Sequence, residues 1–134
     1  MSKKKPTIPP FSQNISAVCE LMDTAVRDYA WSSEQVHRMD GLTQDYLHKL
    51  ELDGLDYGER AKVATQIQRC RQLRRAHKDT CEILEPLVMF LNSDKGRNMM
   101  NLLREALGKT RKAESRMGTR TYFPRVLGQG DSND

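Results

Sequence analysis

Apolar residues recur every three or four positions along most of the chain, which is the spacing of amphipathic α-helices. The first such run predicts a helix from about residue 14 to residue 29, capped by Asn14. Ser32 favours a second helix start, and the Asp40-Gly41 pair is expected to interrupt the chain. The N-terminal part is therefore predicted to contain several short helices.

The next segment, TQDYLHKLEL, places its leucines and Tyr46 on one helical face, which favours a short helix. The alternation of apolar and polar residues in LHKLEL is also compatible with a strand. The Asp53-Gly54 pair ends this element in either case.

The longest predicted helix runs from about Tyr57 to Leu91. At 1.5 Å per residue it is about 50 Å long. This length exceeds the width of a compact domain of this size, so we expect the helix to pack against more than its own subunit. Pro86 removes one backbone donor and is expected to bend or break the helix between residues 81 and 85.

A turn is predicted from Asn92 to Gly96, followed by a last helix from about Met99 to Arg116 that should lie antiparallel to the preceding one. After Gly118 the sequence TRTYFPRVL favours an extended segment. The predicted fold is mainly α, an antiparallel helical hairpin with shorter N-terminal helices and an extended C-terminal segment.

The domain organisation follows from composition. Residues 1–13 hold three Lys and three Pro and are expected to form a disordered basic tail. Residues 14–127 are interpreted as a single helical ligand-binding domain, and residues 128–134 as a second disordered tail. Hydrophobic residues make up 37% of the 134 residues, which predicts a thin core. We therefore expect a homo-oligomer, either a dimer or an assembly of dimers.

The charge is distributed unevenly along the chain. Residues 14–59 carry three Lys or Arg and ten Asp or Glu, whereas residues 60–125 carry sixteen and six. The overall net charge of +4 is thus the sum of two very different segments. We call residues 14–59 the acidic front and residues 60–125 the basic back. This asymmetry indicates either an anionic ligand on the back or mutual neutralisation of the two parts.

Three cysteines, Cys19, Cys70 and Cys81, show no metal-binding or disulfide spacing and are interpreted as buried small hydrophobes in a reducing compartment. No apolar run approaches the roughly 18 residues needed to span a bilayer. The sequence therefore predicts a cytoplasmic protein.

One basic cluster lies in the middle of the long helix and comprises Arg69, Arg71, Arg74, Arg75 and Lys78. It is either a solvated surface with ion pairs such as Arg75–Asp79 and Lys78–Glu82, or a surface for an anion or an acidic partner. Arg71, Arg74, Arg75 and Lys78 are its candidate anion-binding residues.

A second basic cluster spans the last helix and the extension after it. Its members are Arg104, Lys109, Arg111, Lys112, Arg116, Arg120 and Arg125, with Tyr122 and Phe123 among the last of them. Arginine suits phosphate oxygens, and aromatic rings can stack on a base. This combination favours an anion site over a basic helix end without a ligand.

The sequence offers little for catalysis. The three histidines have no metal-ligand spacing, and there is no glycine-rich phosphate loop and no nucleophile elbow. The acidic residues Asp40, Asp45, Glu51 and Asp53 are best explained as scattered surface carboxylates. We therefore predict a binding protein that is not an enzyme and uses no metal or cofactor.

A nucleic-acid-binding regulator using residues 69–78 is the alternative, since two basic helical stretches fit phosphate neutralisation. The acidic front would repel a long polyanion, however, which makes nucleic acid the less favoured partner. A third hypothesis is an assembly protein whose basic back pairs with its own acidic front.

Several segments resemble a known family. They are LTQDYLHKLEL, RCRQLRRAHKD, EPLVMFLN and RTYFPRVL, which cover roughly residues 40–127. In this order they are similar to the phage-encoded Thoeris anti-defence proteins of the first described type. The predicted helix 14–29 has no counterpart in the resemblance.

The resemblance implies a phage protein in the host bacterial cytosol that binds a glycocyclic ADP-ribose signal without cleaving it. The host effector would then remain silent, and Thoeris immunity would be blocked. Members of this family form dimers that assemble further, and some also bind cyclic oligonucleotides at a separate site.

The resemblance also implies ligand-binding residues. Phe90 would stack on the adenine, Asn101 would contact the ligand, with Asn92 and Asn98 as competing matches, and Arg116 and Arg120 would clamp the pyrophosphate from one helix face. Tyr122 or Arg125 would close the pocket.

Overall fold

The computed structural model describes residues 10–119 and 124–126. Helix accounts for 92% of the described residues, and no strand occurs among them, so the mainly α prediction is confirmed. The elements are α1 (Phe11–Leu52), α2 (Tyr57–Asn92) and α3 (Asp94–Thr119). No helix within this part of the chain is both long and apolar enough to cross a membrane.

The first helix is a single element of 42 residues, so the prediction of shorter N-terminal helices was wrong. Asn14 lies inside α1 rather than at its cap, and the helix continues through Gly41 and Leu50. Gly41 has open space around its Cα, and an internal glycine costs only about 1 kcal/mol relative to alanine. The packing of α1 against α2 on both sides of Gly41 offsets that cost.

Each helix presents one seam of buried and half-buried residues spaced alternately by three and four. The α1 seam comprises positions 12, 15, 19, 22, 25, 29, 32, 36, 39, 43, 46 and 50; the α2 seam comprises 63, 67, 70, 74, 77, 81, 84, 88 and 91; the α3 seam comprises 96, 100, 103, 107, 110 and 114. This is the heptad spacing of coiled coils, with one shorter step in α1.

The α1 and α2 helices pair antiparallel along their seams. Arg74 Nε donates to Asp40 Oδ1 over 2.7 Å, and the Cys81 thiol lies 3.8 Å from the Tyr29 carbonyl oxygen, so later residues of α2 meet earlier residues of α1. The loop between them includes Gly54 at φ 56°, and Asp56 caps α2 by accepting from Glu59 N. The predicted end at Asp53-Gly54 and start at Tyr57 are confirmed.

Pro86 does not break α2, which is continuous from Tyr57 to Asn92. Of the two effects expected of Pro86, a bend or a break between residues 81 and 85, the break is therefore wrong. Pro86 is exposed, and seam residues before and after it, Leu84 and Val88, hold the helix against α1. One backbone hydrogen bond is lost on the solvent side without loss of the helix.

The chain leaves helical conformation at only one residue between α2 and α3, Ser93, where a turn from Asn92 to Gly96 was predicted. Ser93 has extended backbone angles. Its N–H donates to the Phe90 carbonyl oxygen, and its hydroxyl oxygen accepts from Gly96 N over 3.1 Å. Ser93 thus ends one helix and caps the next.

The third helix runs antiparallel to α1 and therefore in the same sense as α2. Arg104 pairs with Asp23 at 3.1 Å, and farther along α3 Glu114 accepts from Ser12. The predicted antiparallel hairpin of α2 and α3 was wrong, because one linking residue is too short for the two-to-five-residue loop that such a hairpin needs. The hairpin of this fold is α1–α2.

The core is centred where the three helices meet. Cys19, Leu91 and Met100 form its buried cluster, and half-buried Ile15 and Leu103 are among the residues packed against it. No large side chain of the described residues falls below 2% exposure, so the core is thin, as composition predicted. Cys19 and Cys70 are buried and free, as expected, and Cys81 is half-buried.

The N-terminus of α1 is capped from α3. Pro10 at the cap position provides no side-chain hydrogen bond, and instead Glu114 accepts from both the backbone N–H of Ser12 (3.0 Å) and its hydroxyl. A carboxylate here also interacts favourably with the helix dipole. These hydrogen bonds, with a smaller contribution from Arg111, lower the pKa of Glu114.

We expect Ser12→Ala to lower the melting temperature at neutral pH but to change little near pH 2. Because the pKa of Glu114 is depressed in the folded chain, its contribution is present above the ordinary glutamate value of about 4.3 and disappears as the pH falls through the lower folded value. Thermal melts of wild type and variant across pH 2–7 measure this. A difference that stays constant over the whole range would contradict the proposed cap.

The predicted extended C-terminal segment falls mostly outside the described residues. The last helix continues to Thr119, three residues beyond the predicted end. Pro124, Arg125 and Val126 are exposed and not helical.

Candidate functional site

One cleft lies beside the break between α2 and α3, and we call it the kink cleft. Its volume is about 220 Å³. The lining residues are Met22, Asp23, Val26, Leu91, Asn92, Arg97, Met100, Asn101 and Arg104.

Both arginines that line the kink cleft already have polar partners within the chain. Arg97 donates to the Asn92 carbonyl oxygen over 2.7 Å, and Arg104 pairs with Asp23 at 3.1 Å. Since Asp23 offsets one of the two arginines, the cleft offers a weakly positive, amide-rich wall. Such a wall suits a neutral or singly charged group better than a pyrophosphate.

A second cleft lies on α3 near its C-terminal end, and we call it the basic cleft. It has a volume of about 440 Å³ and is lined by Lys109, Lys112, Ser115 and Arg116. Among the described residues no carboxylate lines it. Lys109 also lies 3.2 Å from Glu105, but both side chains are largely exposed, so this pair is weak.

The two clefts face different directions. Arg104 and Lys109 are five residues apart, which places them about 140° apart around the helix. They are therefore separate sites on α3.

The predicted cluster in the middle of α2 divides into two parts. Arg74 and Arg71 lie 2.7 Å and 3.7 Å from Asp40, so these two cations help to hold α2 to α1. Arg75 and Lys78 are exposed, and the pairs expected with Asp79 and Glu82 do not form. Within the described chain only Arg75 and Lys78 of the four candidate residues lack an ion pair.

The residues implied by the family resemblance are distributed over both clefts. Arg116 lines the basic cleft, and Asn101 lines the kink cleft together with its competitor Asn92. Arg125 is exposed near the end of the described chain. Arg120 and Tyr122 lie outside the described residues.

Phe90 is not brought next to Arg116 within one chain. Phe90 contacts the start of α3 at Gly96, and Arg116 lies 20 residues farther along, or about 30 Å at 1.5 Å per residue. A pocket that uses both side chains would need them from different copies.

Sequence reasoning placed Lys109 and Lys112 in a basic cluster but did not select them as site residues. Lys112 and Lys109 lie four and seven residues before Arg116, which puts all three on one stripe of a helix. This spacing is the sequence feature that could have selected Lys109 and Lys112 as site residues. Arg97 and Arg104, at four and three residues from Asn101, follow the same rule in the kink cleft.

Within residues 10–119 and 124–126, no group of three or more His, Cys, Asp or Glu side chains is placed to hold a metal ion. Burial and the nearby Glu85 carboxylate raise the pKa of the Cys81 thiol, which disfavours the nucleophilic thiolate. No protein-family model, curated protein or solved structure matches the chain.

Proposed function

We propose that this protein binds a compact anionic signalling nucleotide of the cyclic ADP-ribose type and sequesters it without cleaving it. The observation that carries the proposal is the basic cleft, which Lys109, Lys112 and Arg116 line with no carboxylate among the described lining residues. Three of the other arginines already have carboxylate partners, because Arg71 and Arg74 pair with Asp40 and Arg104 pairs with Asp23.

The chemistry of the basic cleft suits capture. Three cations can neutralise a pyrophosphate, with Arg116 offering a planar bidentate fork and the lysines acting as mobile point charges. The Ser115 hydroxyl adds a neutral donor. The described lining includes no histidine, cysteine or carboxylate to activate water, which supports binding without turnover.

The LTQDYLHKLEL, RCRQLRRAHKD and RTYFPRVL segments resemble Thoeris anti-defence proteins. This resemblance supports the proposed ligand and the proposed role in blocking host immunity. The captured signal would be a glycocyclic ADP-ribose, and its removal in the host cytosol would keep the Thoeris effector inactive. Phe90 would stack on the adenine from a second copy, since Phe90 and Arg116 of one chain are too far apart.

Arg116→Ala is expected to weaken binding of a cyclic ADP-ribose isomer about tenfold to a hundredfold, because it removes one charge-assisted contact to phosphate. Arg111→Ala is the matched control, since Arg111 is an exposed arginine of the same helix that does not line the basic cleft. Isothermal titration of the three proteins measures the effect. Equal affinities for all three would exclude the basic cleft as the binding site.

Cleavage and nucleic-acid binding are tested separately. After incubation with the ligand and removal of the excess, heat denaturation should release the intact molecule. Titration of duplex and single-stranded DNA at two salt concentrations tests the regulator alternative, in which Arg75 and Lys78 would contribute a steep salt dependence. Tight, salt-sensitive DNA binding without ligand binding would replace our proposal with that alternative.

A further inference from the structure

Four of the six exposed large apolar residues of α1 lie on one side of its seam. Phe11, Val18, Leu21 and Trp31 are all large and exposed, and each lies one position before a seam residue of α1. One position corresponds to a rotation of about 100° around the helix. The four side chains therefore flank the contact with α2 and α3 on the same side.

Five of the eight exposed large apolar residues of α2 and α3 repeat this arrangement. Leu73, Ile83 and Phe90 each precede an α2 seam residue, and Met99 and Leu102 each precede an α3 seam residue; all five are exposed. Because α2 and α3 both run antiparallel to α1, the positions before the seam turn toward the same side of the molecule as those of α1. The nine residues form one surface, which we call the apolar face.

We infer that the apolar face is the surface through which two copies of this chain pack against each other. At 150–250 Å² for a large side chain, the exposed parts of its nine residues amount to roughly 900 Å². A standard interface buries about 800 Å² on each partner. The apolar face thus has the area that one stable two-fold contact requires.

The thin core favours a second copy over an occasional partner. No large side chain of the described residues is completely buried, and fourteen large apolar side chains of the three helices are exposed, so one chain alone leaves much apolar surface in contact with water. The face extends about 45 Å along α1, from Phe11 to the level of Leu73. Long helices offer ridges and grooves that a symmetric copy can match along that length.

The experiment compares two substitutions in the same helix. Ile83 is 76% exposed and belongs to the apolar face, whereas Met89 is 65% exposed and lies on the other side of the α2 seam. Sedimentation equilibrium of the full chain should show dimers, or multiples of dimers, for wild type and Met89→Glu. Ile83→Glu should weaken self-association about a hundredfold or more, since a symmetric contact would bury two carboxylates at once.

Trp31 provides a measurement that needs no substitution, because it is the only tryptophan and lies on the apolar face. Its emission should shift to the red when wild type is diluted through the dissociation range, and should already be shifted in Ile83→Glu at concentrations where circular dichroism shows intact helix. Self-association is already predicted from the sequence, and the apolar face adds the surface that mediates it. Because this test does not use the nucleotide, it can fail or succeed independently of the ligand proposal.

Three results would overturn the inference. One is a wild type that stays monomeric at every concentration. Another is an oligomer that Met89→Glu disrupts and Ile83→Glu does not. The third is a monomer whose Trp31 emission shifts only on adding phosphatidylglycerol vesicles, which would make the apolar face a lipid-binding surface.

Discussion

Replacing Gly96 with alanine is expected to destabilise the protein by about 3–5 kcal/mol, beyond the usual range for overpacking. A Cβ at this position would lie 1.9 Å from the Phe90 carbonyl oxygen and 2.8 Å from the Leu91 Cα. Both are backbone atoms, so no side chain can rotate away. The start of α3 must move off the end of α2, which strains the Ser93 hydrogen bonds that join them.

Gly108→Ala is the matched control in the same helix. A Cβ there meets nothing within 4 Å, and alanine is favoured over an internal glycine by about 0.8–1 kcal/mol. The two variants should therefore change the free energy of unfolding in opposite directions in chemical denaturation. If Gly96→Ala is as stable as wild type, the close approach of the two helices at Ser93 is wrong.

The α2 helix was the element best predicted from sequence. Its helical period continues from Val63 to Leu91 with only Arg74 and His77 as charged or polar seam residues, and Asp56 supplies a local cap. Both signals are contained in the segment itself. The effect of Pro86 was overestimated, because the helix is held by the packing of Leu84 and Val88 against another helix. That packing cannot be read from the α2 segment alone.

The N-terminal helix was divided wrongly because local signals opposed a longer-range one. Ser32 resembles a cap, but it is buried to 2% exposure in the α1 seam, where a small side chain lets the helices approach. The seam continues through Met39 and Thr43 past Gly41, and the Thr43 hydroxyl donates to the Met39 carbonyl oxygen over 2.8 Å. Packing against α2 therefore overrode the two local signals.

Prediction of the candidate site was limited in the same way, because contacts between helices cannot be read from a local segment. Composition drew attention to the arginines of α2 and α3, and the spacing of Arg116 with two lysines predicts a common face. Sequence could not show that Asp40 would pair with Arg71 and Arg74, because that pairing depends on the register between two helices. It also could not give the distance between Phe90 and Arg116, which follows from the direction of α3.

The alignment of α1 with α2 and α3 partly explains why the first part of the chain is acidic and the second part basic. Three of the four ion pairs within the described residues join α1 to α2 or α3, through Asp40 and Asp23. Self-neutralisation, the third hypothesis from sequence, therefore contributes to the fold. Among the described residues it leaves the basic cleft of α3 without an acidic lining residue, which is why we propose this cleft for the anionic ligand.

Leu91→Ala should lower the free energy of unfolding by about 2–4 kcal/mol, a large share of the 5–15 kcal/mol of an ordinary domain. Leu91 is 7% exposed and belongs to the buried cluster that Cys19 of α1 and Met100 of α3 complete. Its side chain thus connects all three helices, and the thin core has few other groups to fill the space.

Met89→Ala is the control for Leu91→Ala, because Met89 is in the same turn of α2 but exposed, and its truncation should change stability by no more than about 0.5 kcal/mol. Hydrogen exchange gives the sharper readout. Since Leu91 belongs to the buried cluster where α3 meets the hairpin, the amides of α3 should lose more protection in Leu91→Ala than those of α2 near Cys70. Uniform loss of protection would instead show that the three helices unfold as one unit, with α3 no more weakly held than the α1–α2 hairpin.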